Sequence, residues 1–211
     1  MNTLIVFAYS VLAGVAISLG GTANLSVDNR VIGAFLFAVG LFTICTFALN
    51  LFTGRVIYVL EKDRRYALNL LPIWLGNLLG TFLTAQAELL TRHGALLQER
   101  AIALCQPKLN DSIVSIFILS VLCNILVCIA VDGFKRNKHE VGKYLSIIFG
   151  VMVFILCGFE HCVANMYYFS VAGMWSWKTL GYVLVMTLGN ALGGLLIPAL
   201  RLLKEKEDAK Y

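Results

Sequence analysis

Long apolar runs separated by short polar connections dominate the chain, and six can be laid out at about residues 3–25, 33–60, 67–91, 112–133, 141–168 and 179–203. Each is near the roughly 20 residues an α-helix needs to cross the hydrocarbon core of a bilayer. The pattern predicts six transmembrane helices and leaves no stretch for a soluble domain. The chain therefore reads as one transmembrane domain over 1–211, with a first half at about 1–91, a second at about 112–203 and a short tail at 204–211. The first run carries no charged side chain before Asp28 and no basic segment ahead of it. It reads as a retained helix rather than a cleaved signal peptide.

The runs repeat. Leu75-Gly76-Asn77-Leu78-Leu79-Gly80 in the third recurs as Leu188-Gly189-Asn190-Ala191-Leu192-Gly193 in the sixth. A period of three helices makes the second triplet cross in the opposite sense, which predicts two inverted three-helix repeats. Glycines four apart let helices approach closely, and the repeated Asn needs a hydrogen-bond partner in an apolar setting. The second helix of each triplet also reads as interrupted, near Asn50-Leu51-Phe52-Thr53-Gly54-Arg55 and near Gly158 to Asn165. Irregular backbone at that depth is tolerated only where it is buried in protein or lines a cavity. The half-helix N-termini expected there present unpaired N–H groups and a positive dipole end, suited to an anion. Two such breaks meeting near the midplane form a permeation site.

Composition agrees with the pattern. With 59% hydrophobic and 14% charged residues and a mean hydropathy of +0.82, the chain holds more apolar surface than a soluble domain of this length buries. Lys62, Arg64 and Arg65 follow the second run, Lys135, Arg136 and Lys138 follow the fourth, and Arg201, Lys204, Lys206 and Lys210 mark the end of the last run and the tail. The other side offers Arg30, Arg92, Arg100, Lys108 and Lys178. The bias predicts both termini on the cytoplasmic side. It also accounts for the net charge of +5 without nucleic acid as a partner. Arg55 and Lys143 lie near run ends, where snorkelling is the ordinary reading.

Six cysteines at 45, 105, 123, 128, 157 and 162 contain no CxxC pair and read as small core hydrophobes rather than a disulfide frame or zinc site. Cys157 and His161, four apart, are the one pair a metal could use; no metal or cofactor is otherwise implied. No HExxH, GxSxG or paired-aspartate signature is present, which argues against an enzyme.

The ionisable pair Glu160-His161 sits inside the fifth run. A charge at that depth costs roughly 2.5–3.5 kcal/mol on the mildest scales, so such a pair by default lines a wet path or a buried site. His161 is the only histidine inside a span, and imidazole titrates nearest physiological pH. A bare anion crosses an apolar ring at high cost whereas the neutral acid crosses cheaply. His161 is thus the candidate to give a hydrogen bond, or a proton, to a passing anion. Glu160 either braces the helix break or faces the pore.

Leu-Phe-Thr-Gly at 51–54, Cys-Asn-Ile-Leu-Val-Cys at 123–128, Gly-Phe-Glu-His-Cys-Val-Ala-Asn-Met at 158–166 and Leu-Gly-Asn-Ala-Leu-Gly-Gly at 188–194 together resemble the formate/nitrite transporter family of bacterial anion channels. The resemblance implies an aquaporin-like six-helix protomer, all-α, assembled as a homopentamer in the bacterial cytoplasmic membrane with one pore per subunit. It implies small monovalent anions as substrates, namely formate, nitrite and hydrosulfide, with protons and the lipid bilayer as the other partners. His161 matches the family's central pore histidine and Thr53 the threonine facing it. Asn124 and Asn190 match two pore asparagines, and Lys108 a lysine at the outer mouth. The apolar constrictions correspond to Phe37, Leu41, Leu51, Phe52, Val127 and Phe154.

Two departures stand out. Most members carry an acidic residue where this chain has Asn50, so an ion pair there is not expected. The chain begins almost inside its first run, so pH dependence is expected from the pore rather than from an N-terminal gate. The short Tyr167-to-Lys178 connection, with Phe169 and Trp175, looks more like nitrite-type members. An aquaporin-like channel for neutral solutes shares the inverted triplets and is the alternative, although neither break carries Asn-Pro-Ala.

Overall fold

In the computed structural model, which describes residues 3–210, helices follow the apolar runs closely. The first two residues of the expected first half, and Tyr211 of the expected tail, lie outside the described residues. The elements are α1 (Thr3–Ser26), α2 (Arg30–Thr46), α3 (Phe52–Val56), a 3-10 turn at Val59–Glu61, α4 (Arg64–Leu68), α5 (Leu70–Leu89), α6 (Gly94–Leu109), α7 (Ile113–Arg136), α8 (Glu140–Leu156), α9 (Cys162–Ala172) and α10 (Trp177–Asp208). Short polar side chains set several starts: Asn29 accepts from the N–H groups of Val31 and Ile32, Ser112 from that of Ser115, and Ser176 from that of Thr179.

Among the described residues four segments are long and apolar enough to cross a bilayer, Thr3–Ser26, Arg64–Leu89, Ile113–Arg136 and Trp177–Asp208. Large apolar side chains such as Val31, Phe35, Val39, Leu188 and Leu192 face outward. An exterior of that kind belongs to a protein surrounded by lipid or by apolar partners. The second and fifth runs are the divided ones, α2 with α3 and α8 with α9.

Two stretches differ from the sequence expectation. The connection between the third and fourth runs contains α6, which buries Leu97, Ala101 and Cys105 and packs on α9. Its apolar positions recur four apart, a signal hidden by the charges around them. The expected connection from Tyr167 to Lys178 is helical as far as Ala172, so the true link is only Gly173–Ser176. Gly173 ends α9 in the left-handed region, at φ 66°.

The two halves pack alike. α1 lies against α2 and α5, and α7 lies against α8 and α10; α9 packs on α5, and α3 on α10. The paired LGN motifs explain the closeness. A Cβ added to Gly76 would stand 2.6 Å from the Ser10 Cβ, and one added to Gly189 would stand 2.6 Å from the Ser120 Cβ. Gly80 and Gly193 likewise lie against the carbonyls of Val11 and Val121. Only glycine leaves room for such backbone contact between helices.

Candidate functional site

Each divided helix turns through a residue in the left-handed region, Ala48 at φ 52° and Gly158 at φ 68°. The chain then runs extended through Leu51 and His161 and starts a short helix, α3 or α9. An asparagine from the LGN motif holds each start. Asn77 Oδ1 accepts the Phe52 N–H at 2.8 Å, while its Nδ2 donates to the carbonyls of Ser10 (2.8 Å) and Asn50 (2.9 Å). Asn190 Oδ1 accepts the Cys162 N–H at 2.8 Å, and its Nδ2 donates to the carbonyls of Ser120 (2.7 Å) and Glu160 (2.8 Å). The first N–H of each short helix is therefore already bonded, contrary to the sequence expectation of free donors there. Asn77 is the site residue that sequence reasoning passed over, although the repeat itself pointed to it.

His161 and Thr53 meet where these helices face each other, with Nε2 and Oγ1 2.9 Å apart. Both are buried. The Ala164 N–H donates to His161 Nδ1 at 3.1 Å, so that nitrogen carries a lone pair. The neutral ring then holds its proton on Nε2, which donates to Thr53 and leaves the threonine hydroxyl hydrogen free for another acceptor. The Phe154 ring stacks on the imidazole at 5.7 Å between centroids and 20° between planes, and Phe37 meets Phe154 edge-on at 5.9 Å.

A cavity opens on either side of this bridge. The α9 cavity, about 200 Å³, is lined by Arg30, Lys108, Phe154, His161, Asn165 and Tyr168, among others. The α3 cavity, about 270 Å³, has Leu51, Gly54, Arg55, Tyr58 and Lys135 in its wall. Of the six expected constriction residues, Phe154 borders the first and Leu51 the second, and Phe37 stands behind Phe154. Leu41, Phe52 and Val127 are buried and line neither cavity.

The polar candidates divide by task. Glu160 Oε2 accepts from Lys108 Nζ at 2.7 Å and from Asn165 Nδ2 at 2.8 Å, and the Glu160 N–H donates to the Leu119 carbonyl at 3.3 Å. The glutamate thus braces the break, with Lys108 as its counter-ion. Asn165 Oδ1 is buried without a partner among the described residues. Asn124 Nδ2 donates to the carbonyls of Thr53 (3.2 Å) and Asn190 (2.6 Å), and its Oδ1 too is buried with no partner among the described residues. In the other half Asn50 donates from Nδ2 to the Val6 carbonyl at 3.1 Å, a neutral tie where Glu160 has an ion pair. Arg55, read from sequence as snorkelling, donates from Nη2 to the Ala48 carbonyl at 3.0 Å and lines the α3 cavity. Lys143 pairs with Glu140, away from both cavities. Among the described residues no group of three or more His, Cys, Asp or Glu side chains could hold a metal ion.

Comparison with known proteins identifies the family and the fold. A family model described as Formate/nitrite transporter matches residues 1–203. The chain is 32% identical over 181 residues to Uncharacterized transporter YrhG of Bacillus subtilis (strain 168), covering 79% of this chain and 68% of the relative. It is 26% identical over 183 residues to Formate channel FocB of Escherichia coli (strain K12), covering 77% of this chain and 64% of the relative. The chain thus spans about two thirds of the length of these curated relatives. A solved structure described as a pentameric formate channel with formate bound superposes with a TM-score of 0.79 at 24% identity, over 91% of this chain and 92% of the other. That likeness establishes the fold.

Proposed function

The chain belongs to the formate/nitrite transporter family, and from that premise we propose that it conducts small monovalent anions of weak acids across a bacterial cytoplasmic membrane. Formate, nitrite and hydrosulfide are the substrates. Six passages, formed by α1, α2 with α3, α4 with α5, α7, α8 with α9, and α10, make two inverted halves of an aquaporin-like protomer. One-for-one correspondence between the asparagine clamps supports the inversion. The pentamer follows the solved channel of the same fold, whose description names five subunits. Both termini lie in the cytoplasm, which puts the α9 cavity outside and the α3 cavity inside.

The observation that carries this reading is the His161–Thr53 bond between two cation-lined cavities. An anion arriving from the α9 cavity has passed Arg30 and Lys108. Ahead of it Phe37, Phe154 and Leu51 exclude water, and an anion without its hydration shell is costly there. The bridge supplies substitutes: the Thr53 O–H, not used in the bridge, donates to the anion, and the His161 Nε2–H swings from Thr53 Oγ1 onto it. Asn124 keeps the Thr53 carbonyl bonded during this exchange and offers its free Oδ1 to an accompanying O–H or water.

Forming the imidazolium requires Nδ1 to surrender the Ala164 N–H. We therefore favour hydrogen-bond donation by His161 over proton transfer. In proteoliposomes, Thr53→Val should cut formate flux by about tenfold to a hundredfold, because a hydrogen bond to a charged group is worth about 1.5–3 kcal/mol and about 1.4 kcal/mol is a factor of ten. Thr53→Ser should keep most of it. His161→Asn, which preserves an N–H donor, should retain measurable flux with an unaltered pH profile; a profile that flattens would reinstate proton transfer. Glycerol flux without anion flux would refute the proposal altogether.

A further inference from the structure

We propose that the α3 cavity is a second anion site, separate from the His161–Thr53 bridge, in which the Arg55 guanidinium binds a small monovalent oxyanion and the Lys135 ammonium supplies the second charge. The inference rests on reading the chain as an anion channel and names a subsite that this reading does not assign. Charge is the first argument. Arg55 and Lys135 both line the cavity, and no acidic residue lies in its wall. Among the described residues neither cation forms an ion pair with a carboxylate. Asp132 accepts from the hydroxyl of the lining Tyr58 at 3.3 Å but is bound by Arg136 and Arg201.

Donor accounting is the second argument. A guanidinium has five N–H donors, and the Ala48 carbonyl takes one of Arg55's. That bond holds the head group at the cavity wall, and beside the Tyr66 hydroxyl that it also meets the guanidinium has N–H donors to spare for two oxygens of one anion. Lys135 Nζ rests 4.2 Å from the centre of the Tyr58 ring, whose face holds the ammonium without cancelling its charge. On the other side of the bridge the corresponding cation, Lys108, is neutralised by Glu160 at 2.7 Å. Size is the third argument. At about 270 Å³, against about 30 Å³ per liquid water, the cavity takes an anion with part of its hydration shell.

Arginine modification by phenylglyoxal, followed residue by residue by mass spectrometry on the intact solubilised protein, tests the site without relying on transport. Sodium formate at ten times its half-saturating concentration should slow modification of Arg55 by about tenfold. Modification of the exposed Arg64 and Arg92 should proceed at the same rate with or without formate. Lys135→Gln should raise the half-saturating concentration several-fold. Arg55 modification that formate leaves as fast as that of Arg64 would overturn the subsite. Protection of Arg55 in a protein that carries no anion flux would keep the subsite and remove the channel reading, and flux without protection would do the reverse.

Discussion

The two helix breaks share one scaffold and differ in most of the side chains they carry. Asn77 and Asn190 make the same three bonds at their respective breaks. Ser10 and Ser120 each return a hydroxyl to a carbonyl four residues earlier at 2.6 Å. Against that common frame, the α3 break carries Ala48, Asn50, Leu51 and Thr53, where the α9 break carries Gly158, Glu160, His161 and Val163. Thus one half supplies the hydroxyl and the other the imidazole. One cavity has its lysine neutralised, and in the other, among the described residues, Arg55 and Lys135 have no carboxylate partner. Repetition built the frame, and divergence between the copies made the site.

That contrast can be broken most forcefully at the ion pair. Glu160→Ala strands Lys108 in a largely buried position and should cost about 3–5 kcal/mol, whereas Asn50→Ala should cost about 1 kcal/mol, the worth of one neutral hydrogen bond. Unfolding in detergent would read the difference, and equal losses would mean that the two breaks are braced alike. Next come the clamps. Asn77→Ala and Asn190→Ala each remove three bonds, so each should cost about 3 kcal/mol at about 1 kcal/mol per bond. Here the halves should behave as equals, and a gap much above about 1 kcal/mol would show that the shared frame is not energetically shared.

The smallest effect reverses sign between the breaks. A non-glycine residue in the left-handed region loses about 1–2 kcal/mol, so Ala48→Gly should stabilise by up to about 1 kcal/mol once the extra chain entropy of glycine is counted. Gly158→Ala should destabilise by a similar amount. A Cβ at Gly158 meets nothing within 4 Å, so any loss there is a backbone effect. Unfolding midpoints of the two variants moving in the same direction would discount backbone strain as the distinction.

Much of the fold was legible because lipid imposes a length and a polarity that the chain must display openly. The apolar runs, the LGN repeat and the polar interruptions at Asn50–Arg55 and Gly158–Asn165 all correspond to elements in the structure. α6 was missed because its buried residues Leu97, Ala101 and Cys105 are flanked by Glu99, Arg100 and Lys108, and composition alone reads such a stretch as a connection. Tyr167 to Ala172 reads as a link in the sequence because the five residues 157–161 that interrupt the fifth helix shift its second part along the chain. His161, Thr53 and Glu160 could be singled out as polar groups out of place. Asn77 could have been, and Arg55 was set aside because a cation near a span end usually reaches for water.

By itself, the sequence determined that the chain spans a membrane in repeated units and that an imidazole and a carboxylate stand where lipid would reject them, since hydrophobic length and intramembrane polarity are local properties. Tertiary structure decided what those groups touch. Whether Glu160 faces an anion or Lys108, whether the imidazole meets Thr53, and whether Arg55 snorkels or turns toward a cavity depend on partners 52 and 108 residues away or on a backbone turn at Ala48. Hydrogen bonds and charge pairing act over a few ångströms in space, and separation along the chain does not set that distance.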